Sequence, residues 1–355
     1  MQTQNRYNFI LSGLLFLTTV VGNAQEEKKT FQLSLVYPVS TNGHQSKEIE
    51  YDYSLNLFAG YTGGVSALEI GGFYNVTGGH VNGVQVAGFG NTVIGDIDGV
   101  QLGGFSNTGK GNVKGTQIAG FSNVSSTNRG VQVAGFNNHN SRTEGVQIAG
   151  FINTSGDVKG SQVAGFVNVA KKVSGTQIGV INIADSIASG TQVGLINISK
   201  KNGFISLGLE SDDVMPYRLV FRSGMDYFYT VLVAGIHPED DYWSLGAGLG
   251  SRMFLTNQRK VFVNPEARWE NISNGSIGND DFSHLTKLNL NFGYHFQENF
   301  YIAAGPSVNY YVTDDLNENG LPSIELSDSQ TINRLNNNTR HQLWIGYNLG
   351  LGFKF

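Results

Sequence analysis

A nine-residue unit recurs nine times between residues 67 and 198, and one unit is too small to bury its own apolar side chains. It reads Gly83-Val-Gln-Val-Ala-Gly-Phe-Gly-Asn91, Gly99-Val-Gln-Leu-Gly-Gly-Phe-Ser-Asn107 and Gly115-Thr-Gln-Ile-Ala-Gly-Phe-Ser-Asn123. Further copies begin at Gly130, Gly145, Gly160, Gly175 and Gly190, and a degenerate first copy begins at Ala67. The starts are spaced by 16 residues three times and then by 15 five times. The apolar positions are β-branched or aromatic and lack the 3.6-residue spacing of a helix. Such units must stack, each forming one coil of a narrow β-solenoid.

Stacking brings like positions into register. Asn closes all nine copies, from Asn75 to Asn197, and Gln holds the third position in eight, with Glu69 the exception. These side chains are expected to form amide ladders, each carbonyl accepting from the amide of a neighbouring coil. Phe, present in seven copies, would form a column, and Gly would turn the corners. A second apolar position, at Val81, Ile97, Val113, Val158, Val173 and Ile187, precedes the next copy. A meander of membrane strands is excluded, since 15 residues cannot supply two strands of about 9–11 residues and two turns. Calcium-binding solenoids are excluded by the want of a recurrent Asp. The polar ladder positions could alternatively present a flat array to a glycan.

Composition narrows the rest. Charged residues are 14% of 355, the net charge is −5, and Cys is absent. This excludes disulfide scaffolds, thiolate metal sites and cysteine nucleophiles, and gives no electrostatic footprint for nucleic acid. Residues 1–24 read as a cleaved export signal: Arg6, an apolar run from Phe9 to Val21, then Gly22-Asn23-Ala24 before a cut at Gln25.

Outside the repeat the period becomes two. In Leu343-Trp-Ile-Gly-Tyr-Asn-Leu-Gly-Leu-Gly-Phe-Lys-Phe355 every odd position is apolar, while the even ones are mostly Gly, Asn or Lys. The pattern returns at 243–253, 261–269, 287–296 and 302–312, and before the repeat at 31–37 and 53–61. The outward face of a soluble sandwich would carry charge. Alternation of this kind suits lipid on one side and a polar lumen on the other.

Strands of about ten residues, with Tyr and Trp near their ends and a final strand closing on Phe355, resemble a bacterial outer-membrane β-barrel. That resemblance implies recognition of the last strand by the outer-membrane assembly machinery, and contact with outer-membrane lipid. The tandem Gly-Val-Gln-(Val/Ile)-Ala-Gly-Phe-x-Asn units resemble a bacterial surface-repeat family, which implies exposure at the cell envelope and no transferable activity. The expected fold is all-β: an outer-membrane-type antiparallel barrel of about ten strands with an inserted β-solenoid of nine 15–16-residue repeats. Residues 25–66 would supply the N-terminal barrel strands, 67–198 the solenoid, and 199–355 the remaining strands. Connections alternate long and short, which puts both junctions of the repeat on the short-turn, periplasmic side; 204–209 is the weakest strand of the set.

Candidate chemistry is sparse. Asp315, Asn317 and Asn319 followed by Gly320 match half of a calcium loop, with Glu325 as the fourth ligand one position short of the ideal and Asp328 two beyond it. An ordinary Asn-Gly turn is the competing reading. Ser283-His284 and Arg340-His341 have no Gly-x-Ser-x-Gly elbow beside them, and Gly109-Lys110-Gly111 is a repeat corner. No cofactor is expected apart from calcium at that loop. The expected function is therefore non-enzymatic: an outer-membrane protein with a structural, adhesive or binding role toward a glycan or protein ligand. The alternative is a pore partly occluded by the repeat.

Overall fold

The computed structural model describes residues 27–273, 283–317, 322–324, 326, 332–336 and 339–355. Residues 1–24, expected to be an export signal, lie outside them, as do Asn319, Gly320, Glu325 and Asp328 of the expected calcium loop. The described chain is all-β and forms two sheets: a parallel β-solenoid of about ten turns and a closed antiparallel barrel of eight strands.

Each solenoid coil has three short sides. The Gln-bearing row pairs in parallel from coil to coil, as in Gln117 with Gln101 and Gln132. The Asn-bearing row does the same, as in Asn123 with Asn107 and Asn138, and a short third row carries Val113 beside Ile97. The expected second apolar position is core: Val81, Ile97, Val113, Val158, Val173 and Ile187 are all buried.

The amide ladders form as the repeat implies, and they run in opposite directions. Asn91 Nδ2 donates to Asn107 Oδ1 at 2.8 Å, toward the C-terminal coil, and its second proton reaches the Leu102 carbonyl at 3.0 Å. Gln101 Nε2 donates to Gln85 Oε1 at 2.7 Å, toward the N-terminal coil. A ladder whose donors point toward the N-terminus must end on a group that only accepts. Glu69 is that group: Gln85 Nε2 donates to its Oε2 at 2.7 Å, Thr77 Oγ1 donates there at 3.2 Å, and Asn56 Nδ2 donates to its Oε1 at 3.0 Å. The exception in the repeat is thus the ladder's terminus. Burial pushes the Glu69 carboxyl above its ordinary range, against the lowering effect of these donors.

Phe73, Phe89, Phe105, Phe121, Phe136, Phe151 and Phe166 stack in one column with centroids 4.8–5.2 Å apart. The column runs along an outer edge rather than through the core. At the corner opposite it, Gly115 has φ +137°, and a Cβ there would meet the carbonyl of Gly99 in the coil below. Only glycine satisfies both conditions.

The barrel is built from β1 (Phe204–Asp212), β2 (Tyr217–Met225), β3 (Phe228–His237), β4 (Tyr242–Gly250), β5 (Val261–Ser273), β6 (Ser283–His295), β7 (Phe300–Thr313) and β8 (Thr339–Lys354). It closes where β1 pairs antiparallel with β8, Gly208 facing Gly352. The weakest strand of the sequence reading is therefore the one that seals the wall.

Two expectations are corrected here. The wall has eight strands rather than ten, because Glu27–Val36 and Ile49–Thr62 belong to the solenoid. They pair with each other in parallel, Leu33 with Leu55, and Leu55 pairs with Ile70 of the first repeat copy. Their polar side chains extend the ladders: Ser54 sits beside Glu69 in the Gln row, and Asn56, in register with Gly71, reaches over Gly60, the position aligned with Asn75, and donates from Nδ2 to Asn75 Oδ1 at 2.9 Å. An antiparallel wall cannot accept a parallel pair, so the N-terminal boundary at residue 66 does not separate two architectures. The second correction follows: the solenoid joins the barrel once rather than twice. That junction is at the short-turn end.

Two substitutions test the stacking. Gly115→Ala should cost the solenoid about 1–3 kcal/mol from backbone strain alone, read as a lower urea midpoint in circular dichroism. Glu69 has a raised pKa in the folded chain, so the unfolded chain releases its proton first. Its contribution to stability is full below the ordinary carboxylate pKa and is lost as pH rises through the folded value. Glu69→Gln should flatten that fall in urea midpoint; an unchanged pH profile would show that the carboxyl is not the titrating group.

Candidate functional site

Three surfaces could act on something outside the chain: the barrel lumen, the barrel wall and the apolar edge of the solenoid. Alternation in β1 to β8 sends one set of side chains into the lumen. Four cations, Arg218, Arg222, Arg268 and Lys287, meet four carboxylates, Glu210, Asp212, Glu266 and Glu270, all of them buried. Arg222 Nε lies 2.7 Å from Glu266 Oε1, and its Nη2 pairs with Glu210. Arg268 Nη2 bridges Glu210 Oε2 at 2.8 Å and Glu266 Oε2 at 2.6 Å. Arg218 pairs with Glu270 and lies 2.7 Å from Asp212 Oδ2, which also lies 2.9 Å from Lys287 Nζ. Tyr229 donates to Glu266 at 2.7 Å. Closely packed opposite charges of equal number compensate the desolvation that each would suffer alone.

Both ends of this cluster are closed. Toward the short turns, the Arg252 guanidinium sits 4.2 Å from the Phe204 ring centroid and 4.7 Å from that of Phe262, a cation–π stopper. Toward the long loops, Val214 and Met215 fold in against Tyr242, Leu285, Tyr311 and Trp344. The indole of Trp344 donates to Asp213 Oδ2 at 2.6 Å. The lumen is thus a filled interior.

The opposite set of side chains points outward and is apolar throughout the middle of the wall. Leu209, Leu219, Leu245, Leu288, Leu290, Ile345, Leu349 and Leu351 are all exposed, Ile345 at 73%. Exposed aromatics stand near the strand ends, Tyr294, Phe296, Phe300 and Phe355 at the short-turn end and Tyr217 and Tyr310 toward the long loops, with Trp269 and Tyr347 nearer mid-wall. The polarity of a soluble protein is inverted here.

The solenoid repeats the inversion on one side. The outward aliphatics of the Gln row, among them Ile70, Ile118, Ile148, Ile178 and Val193, are 37–43% exposed, and the Phe column beside them is 38–54% exposed. Between Gly83 and Asn197 none of the eight motif copies contains Asp, Glu, Lys or Arg. The charges fall on connectors, as in the exposed pair Lys114–Asp98 at 2.8 Å on the third side.

The solenoid ends against the outer side of the β2–β3 hairpin. The Asn197 backbone N–H donates to Ser223 Oγ at 3.0 Å, Asn197 Nδ2 to Thr230 Oγ1 at 3.2 Å, and Thr230 Oγ1 to the Leu195 carbonyl at 3.0 Å. Met225 enters the apolar core formed by Val173, Ala184 and Ile187. The Asn ladder therefore terminates on a barrel hydroxyl.

The proposed calcium ligands are only partly in view. Asp315 accepts from Ser323 Oγ at 2.6 Å, and Leu316 bridges to Pro322, so its carboxylate braces a turn. Asn317 is described and has partners of its own, whereas Asn319 and Glu325 lie outside the described residues. Among the described residues no three His, Asp or Glu side chains are grouped to hold a metal. Ser283 Oγ is bonded to Thr313 at 2.6 Å, and His341 is flanked by Tyr310 at 2.8 Å and Thr339 at 3.0 Å.

The alternation at 261–269 and 287–296 sets Glu266, Arg268 and Lys287 on the face opposite the apolar one, whereas Glu210, Asp212, Arg218, Arg222 and Glu270 were missed. Their signal was the same period of two, charges at 210 and 212, at 218 and 222, and at 266, 268 and 270. Comparison with family models, with curated proteins and with solved structures gives no match to this chain.

Arg268→Ala would leave Glu210 and Glu266 with Arg222 alone between them, one of their two shared cations removed. Breaking a buried network in this way costs about 3–5 kcal/mol. The folded, heat-sensitive band on a cold gel should weaken, and urea unfolding should begin earlier; wild-type stability would show that the cluster is not under electrostatic constraint.

Proposed function

We propose that this chain is a non-enzymatic outer-membrane protein whose barrel anchors a repeat solenoid with a structural, adhesive or binding role at the cell envelope. The observation that carries the reading is the barrel's polarity, a closed wall with an apolar exterior and a compensated ionic interior. Hydrocarbon accepts such a wall because every backbone polar group is paired around the ring and no edge is left open. The aromatic residues at both strand ends suit the two interfaces, and the export signal and terminal Phe355 fit delivery by the outer-membrane assembly machinery. The tandem units, with their likeness to surface-repeat proteins, support an envelope role over a catalytic one.

The lumen argues against the pore alternative. An eight-stranded barrel is only wide enough for side chains to fill it, and here ion pairs and rings fill it from end to end. Barrels of this class turn tightly on the periplasmic side, and the junction at the short-turn end favours a solenoid beneath the outer membrane over one on the cell exterior.

Fractionation tests the anchor. The protein should partition with outer membranes and migrate faster on a gel when unboiled; recovery in the soluble periplasm would refute it. Planar bilayers containing the purified protein should show no single-channel current. Leu290→Arg, on the outward face near mid-wall, should cost insertion about 2–4 kcal/mol and reduce the heat-modifiable fraction, whereas full insertion would mean that this face does not meet lipid.

A further inference from the structure

We propose that the solenoid lies along the membrane leaflet that meets the barrel's short-turn rim, with its aliphatic and Phe columns seated in lipid. This rests on the reading of the barrel as membrane-embedded. The barrel alone would account for an anchor; the solenoid's own surface and its attachment point to a second zone of lipid contact.

The first observation is the size of the apolar face. The Phe column and the aliphatic column beside it run side by side along the solenoid, each between about a third and a half exposed, with no charge inside any of the eight regular motif copies. Soluble monomers rarely leave contiguous apolar patches beyond a few hundred Å² uncovered. The ladder geometry cannot explain the apolar choice, because these side chains point away from the ladders and a polar residue would stack as well.

The second observation is direction. Ser223, Met225 and Thr230 lie on the outward side of β2 and β3, opposite the inward Arg222 and Tyr229, and it is these outward residues that close the last coil. The solenoid consequently leaves the barrel sideways from its wall and does not hang below the lumen. A rod leaving the rim sideways runs along the leaflet.

The third observation fixes which face looks at the membrane. Ile178, Val193 and Leu195 of the solenoid and Leu232, Leu249 and Trp269 of the barrel wall line one apolar groove of about 560 Å³. The exposed solenoid face and the outward wall thus meet in a single inside corner. If acyl chains cover Leu249 and Trp269, the same chains reach Val193 and Leu195, and the apolar face continues outward from there. The charged third side, with Lys114 and Asp98, is a different side of the coil and is left for water. Continuity with the wall favours lipid over a protein partner, which would have to enter a corner already lined by acyl chains. The arrangement is the β-solenoid counterpart of an amphipathic helix lying in an interface.

The absence of cysteine allows a direct test on the full chain. Ile118→Cys, Lys114→Cys and Leu290→Cys would each be labelled with bimane and reconstituted in phosphatidylcholine–phosphatidylglycerol vesicles. Quenching by nitroxide-bearing lipid would be compared with quenching by aqueous iodide. The proposal expects label at Ile118 to emit to the blue and to be quenched by the lipid nitroxide nearly as well as label at Leu290, while label at Lys114 responds to iodide. Lipid quenching at Leu290 with iodide quenching at Ile118 would overturn the proposal and leave the anchor intact. Shielding of Ile118 from both quenchers would overturn it in favour of a protein contact, a second copy included. Failure of lipid to quench Leu290 would refute the membrane reading itself.

Discussion

A buried amide with no partner is costly, and in this solenoid the partner of each ladder amide stands one coil away. That single requirement dictates most of what is seen. It makes the coil length nearly constant, because a slipped coil would carry Gln and Asn out of their columns. It explains why Asn closes every copy while the outward position before Gln or Glu69 varies among Val, Thr, Ser and Leu. It also explains the two ends. The Gln ladder, with donors toward the N-terminus, stops on the acceptor-only Glu69. The Asn ladder, with donors toward the C-terminus, stops on Thr230 of the barrel. Opposed ladders cancel one another's dipoles along the axis, so the stack accumulates no field of the kind that a long helix does.

The barrel solves a related problem with charges. Its interior gathers guanidinium, ammonium and carboxylate groups that could not be buried singly, and Arg268 links two carboxylates that would otherwise repel. Solenoid and barrel therefore share one design: polar groups gathered inside and carbon presented outside. In the barrel this inversion encircles the molecule, whereas in the solenoid it occupies one side, with ordinary charged connectors elsewhere on the coil. The glycine richness has two local reasons as well, close approach between coils at residues such as Gly115 and room for large inward neighbours at residues such as Gly352 beside Tyr301.

Much of this was legible in the residues. The repeat announces its own stacking, and the ladders, the Phe column and the buried valine positions follow from register alone. The alternation from Tyr242 to Phe355 marks the wall. The failures have a common physical origin: a solenoid side and a barrel strand both alternate at period two, so Phe31 to Tyr37 and Tyr53 to Tyr61 fit either. What separates them is alignment of Ser54 with Glu69 and the reach of the Asn56 amide to Asn75, a comparison between coils rather than within a strand. The lumen charges of β1 and β2 were missed because Phe204–Asp212 looks marginal as a strand when judged without the partner that closes the ring. Direction of the solenoid relative to the wall had no signature in the chain, since it depends on which side of one hairpin Ser223 and Thr230 occupy.

The termination of the Asn ladder on Thr230 carries a consequence for time. A chain made from its N-terminus can start coiling at Glu27–Val36 and add rungs as each repeat appears. The last coil, however, keeps an open parallel edge until the β2–β3 hairpin exists, and although that hairpin has its neighbours β1 and β4 early, the ring stays open until β8 pairs with β1. An open edge of this kind is a template for wrong partners. The half-finished protein therefore depends on being held apart from its siblings for as long as its final strand is missing, and the two architectures complete each other in one closing event.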